Sequence, residues 1–277
     1  MTGGFVRGAM LVALLSLPAG CVSNPSPTPS IPSALNGEPP ARRLERDVIQ
    51  HVLRSSVQVV LERNGERYRT GSGVVIVAKP AATASECLVL SSGHTFAGLK
   101  AGQDGDGEIY VLLDRHQGAA TKVRAQLVAR GATAPVDLAL LLVRAPRCTP
   151  SSLGRPPALG DRIWIVGFPW GRQIRLISGM VSEVNLDDRG HPREGASLMV
   201  DASVAYGMSG GGVFDGATGS LVGLIEGYGT ARVPFGQKPT LQYIDVPVPG
   251  ETYVTSLATI ESFLRDSGQV NVTAIQR

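Results

Sequence analysis

Residues 201–214 read DASVAYGMSGGGVF, with Gly207, Gly210, Gly211 and Gly212 crowded around one serine, Ser209. Apolar residues close in on both sides, and the continuation GVFDGATGSLVGLIEGY stays strand-like. A slack linker does not fit between such flanks. A phosphate-binding loop opens a helix and often carries a lysine, and neither feature is present here. The remaining reading is a shaped loop. Glycine reaches backbone conformations closed to other residues, so Gly207 can turn its N–H toward the point that the Ser209 N–H faces. Two amide donors converging beside a hydroxyl suit an oxyanion. The plain alternative is a tight hairpin with an incidental serine.

A hydrolytic serine also needs a base to take its proton and a group to orient that base. Four histidines are available. His51 falls on an amphipathic helical pattern and reads as a solvated side chain. His116 and His191 lie in polar loops. His94 differs, because it directly follows an apolar strand in CLVLSSGHTF. For the orienting group, Asp137 opens a buried-looking strand in VDLALLLV. An aspartate at a strand start is commonly just a turn residue. Each signal is weak alone. Together they stand in the order His, Asp, Ser, each at the edge of an apolar strand.

The rest of the chain fits a β protein. Stretches such as VQVVLER, GSGVVIVA, RIWIVGF and SLVGLIEGY are short, apolar or alternating, and separated by turn residues. About a dozen such stretches exceed one small barrel, so the pattern predicts an all-β fold of two six-stranded antiparallel barrels. A short N-terminal helix is expected in RRLERDVIQHVL, with Leu44, Val48, Ile49, Val52 and Leu53 at helical spacing. A C-terminal helix is expected over 256–264, with Leu257, Ile260, Phe263 and Leu264 on one face. Hydrophobic residues are 43% and charged residues 18% of the 277, enough to build a sizeable core. A net charge of +3 is too small to argue for nucleic acid. No His/Cys/Asp cluster has the spacing of metal ligands, so neither metal nor cofactor is expected.

Residues 1–20 read as an export signal: Arg7, an apolar run over 9–17 too short to span a bilayer, then LPAGC ending at Cys21. LPAGC resembles a bacterial lipobox, which implies that Cys21 is lipidated and becomes the new N-terminus, although Pro18 stands where leucine is usual. Residues 21–40 are Pro/Ser-rich and read as an extended tether. The globular part is then 41–277. Export implies an oxidising compartment, in which Cys87 and Cys148, the two cysteines after Cys21, allow a single pairing.

On VLSSGHTF, DLALLLV, GDRIWIVGFPWG with SGMVSEV, DASVAYGMSGG, LVGLIEG and YVTSLATIESFL, the chain resembles the trypsin-like serine proteases, closest to the HtrA/DegP branch. The resemblance spans about 41–268 and implies a catalytic triad of His94, Asp137 and Ser209. The oxyanion hole would be formed by the Gly207 and Ser209 amides, with the Met208 amide as a further donor. It implies a primary specificity pocket with Ser203 at its base and Val204, Glu226, Gly227 and Tyr228 along its walls. A neutral base argues against Lys or Arg and for a small or medium apolar side chain. It implies polypeptide substrates, in particular unfolded proteins. Two departures stand out. Met208 replaces the usual Asn or Asp, so it cannot pair with a freshly cut N-terminus, and Gly212 replaces a common Pro. No PDZ-like segment is expected after the peptidase region.

If His94 and Asp137 meet, their strands can lie antiparallel, and the far ends near Cys87 and Cys148 approach as well. A Cys87–Cys148 disulfide is therefore expected. Two rival readings remain: an inactive trypsin-fold module that binds proteins at the membrane, and a lipid-anchored structural β protein. The completeness of the triad counts against both.

Overall fold

In the computed structural model, the described residues are 40–79, 84–102, 107–118, 120–131, 136–185, 196–236 and 241–270. The export signal, Cys21 and nearly all of the tether lie outside them. Helix α1 (Pro40–Ser55) leads into β1 (Ser56–Arg63), β2 (Glu66–Lys79), β3 (Ser85–Ser92), β4 (Glu108–Leu113), β5 (Thr121–Arg130) and β6 (Leu138–Ala145). These strands close a barrel in the order β1-β2-β3-β6-β5-β4. The second barrel is built from β7 (Arg162–Gly167), β8 (Arg175–Val184), β9 (Ala196–Val200), β10 (Gly212–Asp215), β11 (Leu221–Phe235) and β12 (Gln242–Ser256), in the order β10-β11-β12-β9-β8-β7. Helix α2 (Leu257–Asp266) follows. Every strand pair is antiparallel. Two six-stranded barrels with a helix at each end are the expected architecture.

Successive side chains of a strand face opposite ways, and here both ways are often dry. On β3, Cys87 and Val89 enter the first barrel, while Leu88 and Leu90 face outward into a second core. On β6, Ala139 and Leu141 point in, and Leu138 and Leu140 point out. In the second barrel Val213, Val222 and Ile225 point in, whereas Phe214, Leu221 and Leu224 point out. The outward-facing residues of both barrels join in one shared core. Val52 of α1 and Leu257, Ile260, Phe263 and Leu264 of α2 complete it. Two-sided burial is why these strands read as nearly unbroken apolar runs.

The helices match the sequence in place but not in every side chain. Ser256 caps α2, its side chain accepting a hydrogen bond from the Thr259 N–H. Leu44, counted on the apolar face of α1, is 67% exposed, because only the last turns of that helix reach the core. His51 is half-buried rather than solvated, and burial followed by the charge of Arg54 lowers its pKa.

Strands β3 and β6 pair from Ser85↔Ala145 to Ser92↔Leu138. One end of the pair carries His94 and Asp137. Near the other, Cys87 and Cys148 form a disulfide with Cα atoms 6.5 Å apart.

Candidate active site

His94 lies in the 3-10 turn Gly93–Phe96, immediately after β3. Asp137 immediately precedes β6. The β3–β6 register therefore delivers both residues to one place, and three contacts join the two segments. The Asp137 Oδ2 is 2.5 Å from His94 Nδ1. The His94 backbone N–H donates to Asp137 Oδ1 at 2.6 Å. The Gly93 N–H donates to the Asp137 carbonyl at 3.0 Å. Both carboxylate oxygens are thus engaged by one residue, which fixes the ring from two sides. The imidazole is half-exposed, at 51%, and the carboxylate is mostly covered, at 19%. The imidazole is therefore open to solvent rather than packed in a core.

Ser209 comes from the other barrel, in the loop between β9 and β10. That loop is held by its own backbone: the Met208 N–H donates to Ala205 O, Gly211 N–H to Met208 O, and Gly210 N–H to Ile225 O. Gly207 has φ +88°, and a Cβ there would stand 2.8 Å from the Phe168 carbonyl oxygen and 2.9 Å from the Trp170 nitrogen. Glycine is required at this position for both reasons. Among the described residues, no acceptor takes the Gly207 or the Ser209 N–H. Met208 does not belong with these two donors. Its N–H is already committed to Ala205 at 3.0 Å. Its side chain is fully buried in the second barrel beneath Gly167.

One residue that the sequence did not flag ties this loop to the first barrel. Ser72, on β2, is fully buried. Its hydroxyl donates to the Gly207 carbonyl at 2.8 Å and accepts from the Phe168 N–H at 2.9 Å. Its backbone N–H donates to the Ser209 carbonyl at 2.9 Å. A lone serine inside the apolar run GSGVVIVA was the available signal.

The Ser209 hydroxyl donates to the Glu226 carbonyl at 3.3 Å. No hydrogen bond links it to His94 among the described residues. A loose nucleophile–base contact is common in an unliganded site. Glu226 links the two halves electrostatically. Its half-buried carboxylate accepts from the Thr255 hydroxyl at 3.1 Å and feels the charges of Asp137 and His94. Burial, with a smaller push from the Asp137 charge, raises its pKa above the ordinary 4.5. Between that value and the raised one the folded protein holds a proton that the unfolded chain has lost. Stability therefore falls as pH rises through this window. Glu226→Gln is expected to melt higher than the parent at pH 8, with the gap closing near pH 4; paired melting curves check it.

Of the remaining expected pocket residues, Ser203 is exposed, and Val204, Gly227 and Tyr228 are half-buried. Val204 packs against the second barrel's core. Among the described residues no group of three His, Cys, Asp or Glu side chains could hold a metal ion.

These features define a class. Residues 71–224, which include His94, Asp137 and Ser209, match the trypsin-like peptidase domain, and the chain belongs to that family. It is 30% identical over 153 residues to the putative mitochondrial protease Do-like 3 of Arabidopsis thaliana. That similarity covers 53% of this chain and 24% of the relative, so the chain spans only about a quarter of the relative's length. Among solved structures, the serine endoprotease of Yersinia pestis superposes with a TM-score of 0.55 at 19% identity, over 80% of this chain and 65% of that one. The inactive form of the Rv3671c protease of M. tuberculosis H37Rv gives a TM-score of 0.55 at 18% identity, over 85% and 97%. At such identities the likeness extends to the fold.

Proposed function

We propose that the protein is a serine endopeptidase working through an acyl-enzyme. The observation that supports this most strongly is the doubly held Asp137–His94 pair at the end of β3, against which the glycine-shaped serine loop packs. In this reading Ser209 Oγ attacks the peptide carbonyl carbon. His94 Nε2 takes the hydroxyl proton and returns it to the leaving amine. Asp137 holds the Nδ1–H tautomer and stabilises the imidazolium. The Gly207 and Ser209 amides receive the negative oxygen of the tetrahedral intermediate. Water then enters by the same route and releases the acyl group.

Ser203, Val204, Glu226, Gly227 and Tyr228 form the primary pocket in this reading, which favours a small or medium apolar side chain. The substrates are polypeptides, unfolded exported proteins in particular. Residues 1–20 are an export signal, Cys21 carries the acyl anchor, and 21–40 tether the peptidase domain to the membrane. The domain works in the periplasm or at the cell exterior.

A fluorophosphonate probe on the full-length chain tests the activity. Wild type is expected to label covalently, and Ser209→Ala and His94→Ala to remain unlabelled. A folded wild type that fails to label overturns the peptidase reading.

A further inference from the structure

Three side chains from the first half of the chain grip the turn after β7, residues 169–172. Gln58 Nε2, on β1, donates to the Gly171 carbonyl at 3.0 Å, and Arg67 Nη1, on β2, donates to the same oxygen at 3.1 Å. Arg115 Nη2, just after β4, donates to the Arg172 carbonyl at 3.1 Å. The turn they grip is strained. Trp170 has φ +57° and Gly171 φ +62°. A tryptophan in the left-handed region persists only where its surroundings impose that conformation. Gly171 is buried, and a Cβ on it would stand 2.8 Å from Arg67 Nη1.

The same turn holds the serine loop. The Trp170 N–H donates to the Tyr206 carbonyl at 2.7 Å. That carbonyl and the Gly207 N–H belong to one peptide unit, and in a planar trans peptide they point opposite ways. A bond on the Tyr206 oxygen therefore aims the Gly207 N–H. The contacts run unbroken from Gln58 and Arg67, through Gly171 and Trp170, to one of the two oxyanion donors. Gln58 is an unusual residue for its place. It is 1% exposed within the apolar run VQVVL, and its Oε1 has no partner among the described residues. A flipped amide would set that oxygen against the Gly171 carbonyl, so the contact itself fixes the orientation. A buried oxygen without a donor costs stability, so stability alone does not account for a glutamine here.

We propose that Gln58 and Arg67, with Arg115 beside them, are positioning residues for the oxyanion hole: they hold the 169–172 turn in its strained form, so that Trp170 keeps the Gly207 N–H aimed at the developing oxyanion. The proposal rests on the peptidase reading. None of the three side chains is hydrogen-bonded to Ser209, His94 or Asp137 among the described residues, so their effect on the reaction passes through the turn. It is felt in the transition state, where the oxygen carries charge, and little in the bound substrate.

The test uses full-length protein carrying Gln58→Met, a change of similar size, and Arg67→Met, an exposed change, singly and together. Kinetics on a peptide ester are measured beside melting curves and inhibition by a peptidyl trifluoromethyl ketone, whose serine adduct places an anionic oxygen in the hole. The double variant is expected to lose about tenfold or more in kcat, less than the 10²–10³ lost when a donor is deleted outright, with KM changed less than about twofold. Inhibition by the ketone weakens by the same factor as kcat/KM. Gln58→Met alone lowers kcat while its melting temperature stays level or rises, which a purely structural residue would not do. Unchanged kcat in the variants overturns the proposal. So does a rise in KM that accounts for the whole loss, or a loss of kcat with undiminished inhibition by the ketone. If the double variant fails to fold, the two single variants decide by the same readouts. Wild type that neither labels with the fluorophosphonate nor turns over removes the peptidase reading and this one with it; an active wild type beside equally active variants removes only the positioning role.

Discussion

Asp137→Asn is expected to lower kcat by about 10⁴-fold while leaving the fold intact. The Asp137 carboxylate meets His94 twice, through Oδ2 on Nδ1 and through Oδ1 on the backbone N–H. Asparagine keeps an oxygen for the backbone N–H, so the turn that presents His94 survives. At the ring it presents an amide N–H to Nδ1. The proton then sits on Nε2, and the nitrogen facing Ser209 has no lone pair to receive the hydroxyl proton. The oxyanion donors and the pocket are untouched, so substrate binding changes little. Steady-state kinetics on a peptide ester, beside melting curves, check it: a fall in kcat with an unchanged melting temperature is the expected pair of results. A variant that is active near the wild-type level removes Asp137 from the chemistry.

The second large effect concerns stability. The Cys87–Cys148 bond closes a loop of sequence separation 61. In the chain-entropy account, a loop of that length stabilises the folded state by about 4 kcal/mol. The paired Cys87→Ser, Cys148→Ser variant is expected to melt on the order of 10 °C lower. Cys87 is fully buried in the first barrel, so a polar hydroxyl there adds to the loss. Because β3 and β6 carry His94 and Asp137 at their opposite ends, the variant that stays folded at low temperature should label as fast as wild type. Calorimetry and labelling on the same sample separate the two effects.

Much of this was legible in the sequence because the local signals agreed. VLSSGHTF and DLALLLV each announce a strand with a polar residue at its end, and their antiparallel register follows from asking those polar residues to meet. The same register brings the cysteines within bonding distance. Other features depend on contacts between distant segments, which no local pattern encodes. The Met208 amide looked available from its place between Gly207 and Ser209, but the turn of the loop commits it to Ala205. Ser72 stands alone in an apolar strand and clasps the two barrels. The carboxylate of Glu226 reads locally as a wall of a pocket, and its raised pKa arises from burial among β11, β12 and the Asp137 charge. The stretch of β11 and β12 beyond Thr230 is hidden in the sequence for a different reason. Pro234, Pro247 and Pro249 interrupt TARVPF and LQYIDVPVPG, and proline normally argues against a strand; in a ribbon with open edges it is tolerated.

The shared core between the barrels bears on the order of folding. His94 and Asp137 emerge early, on a barrel whose outward leucines still lack a cover. The serine loop comes later, and the segment that seals the joint, α2, comes almost last. Until it does, Leu88, Leu90, Leu138 and Leu140 lack the part of their cover that Leu257, Ile260, Phe263 and Leu264 supply. The joint between the two halves is therefore complete only once α2 has docked.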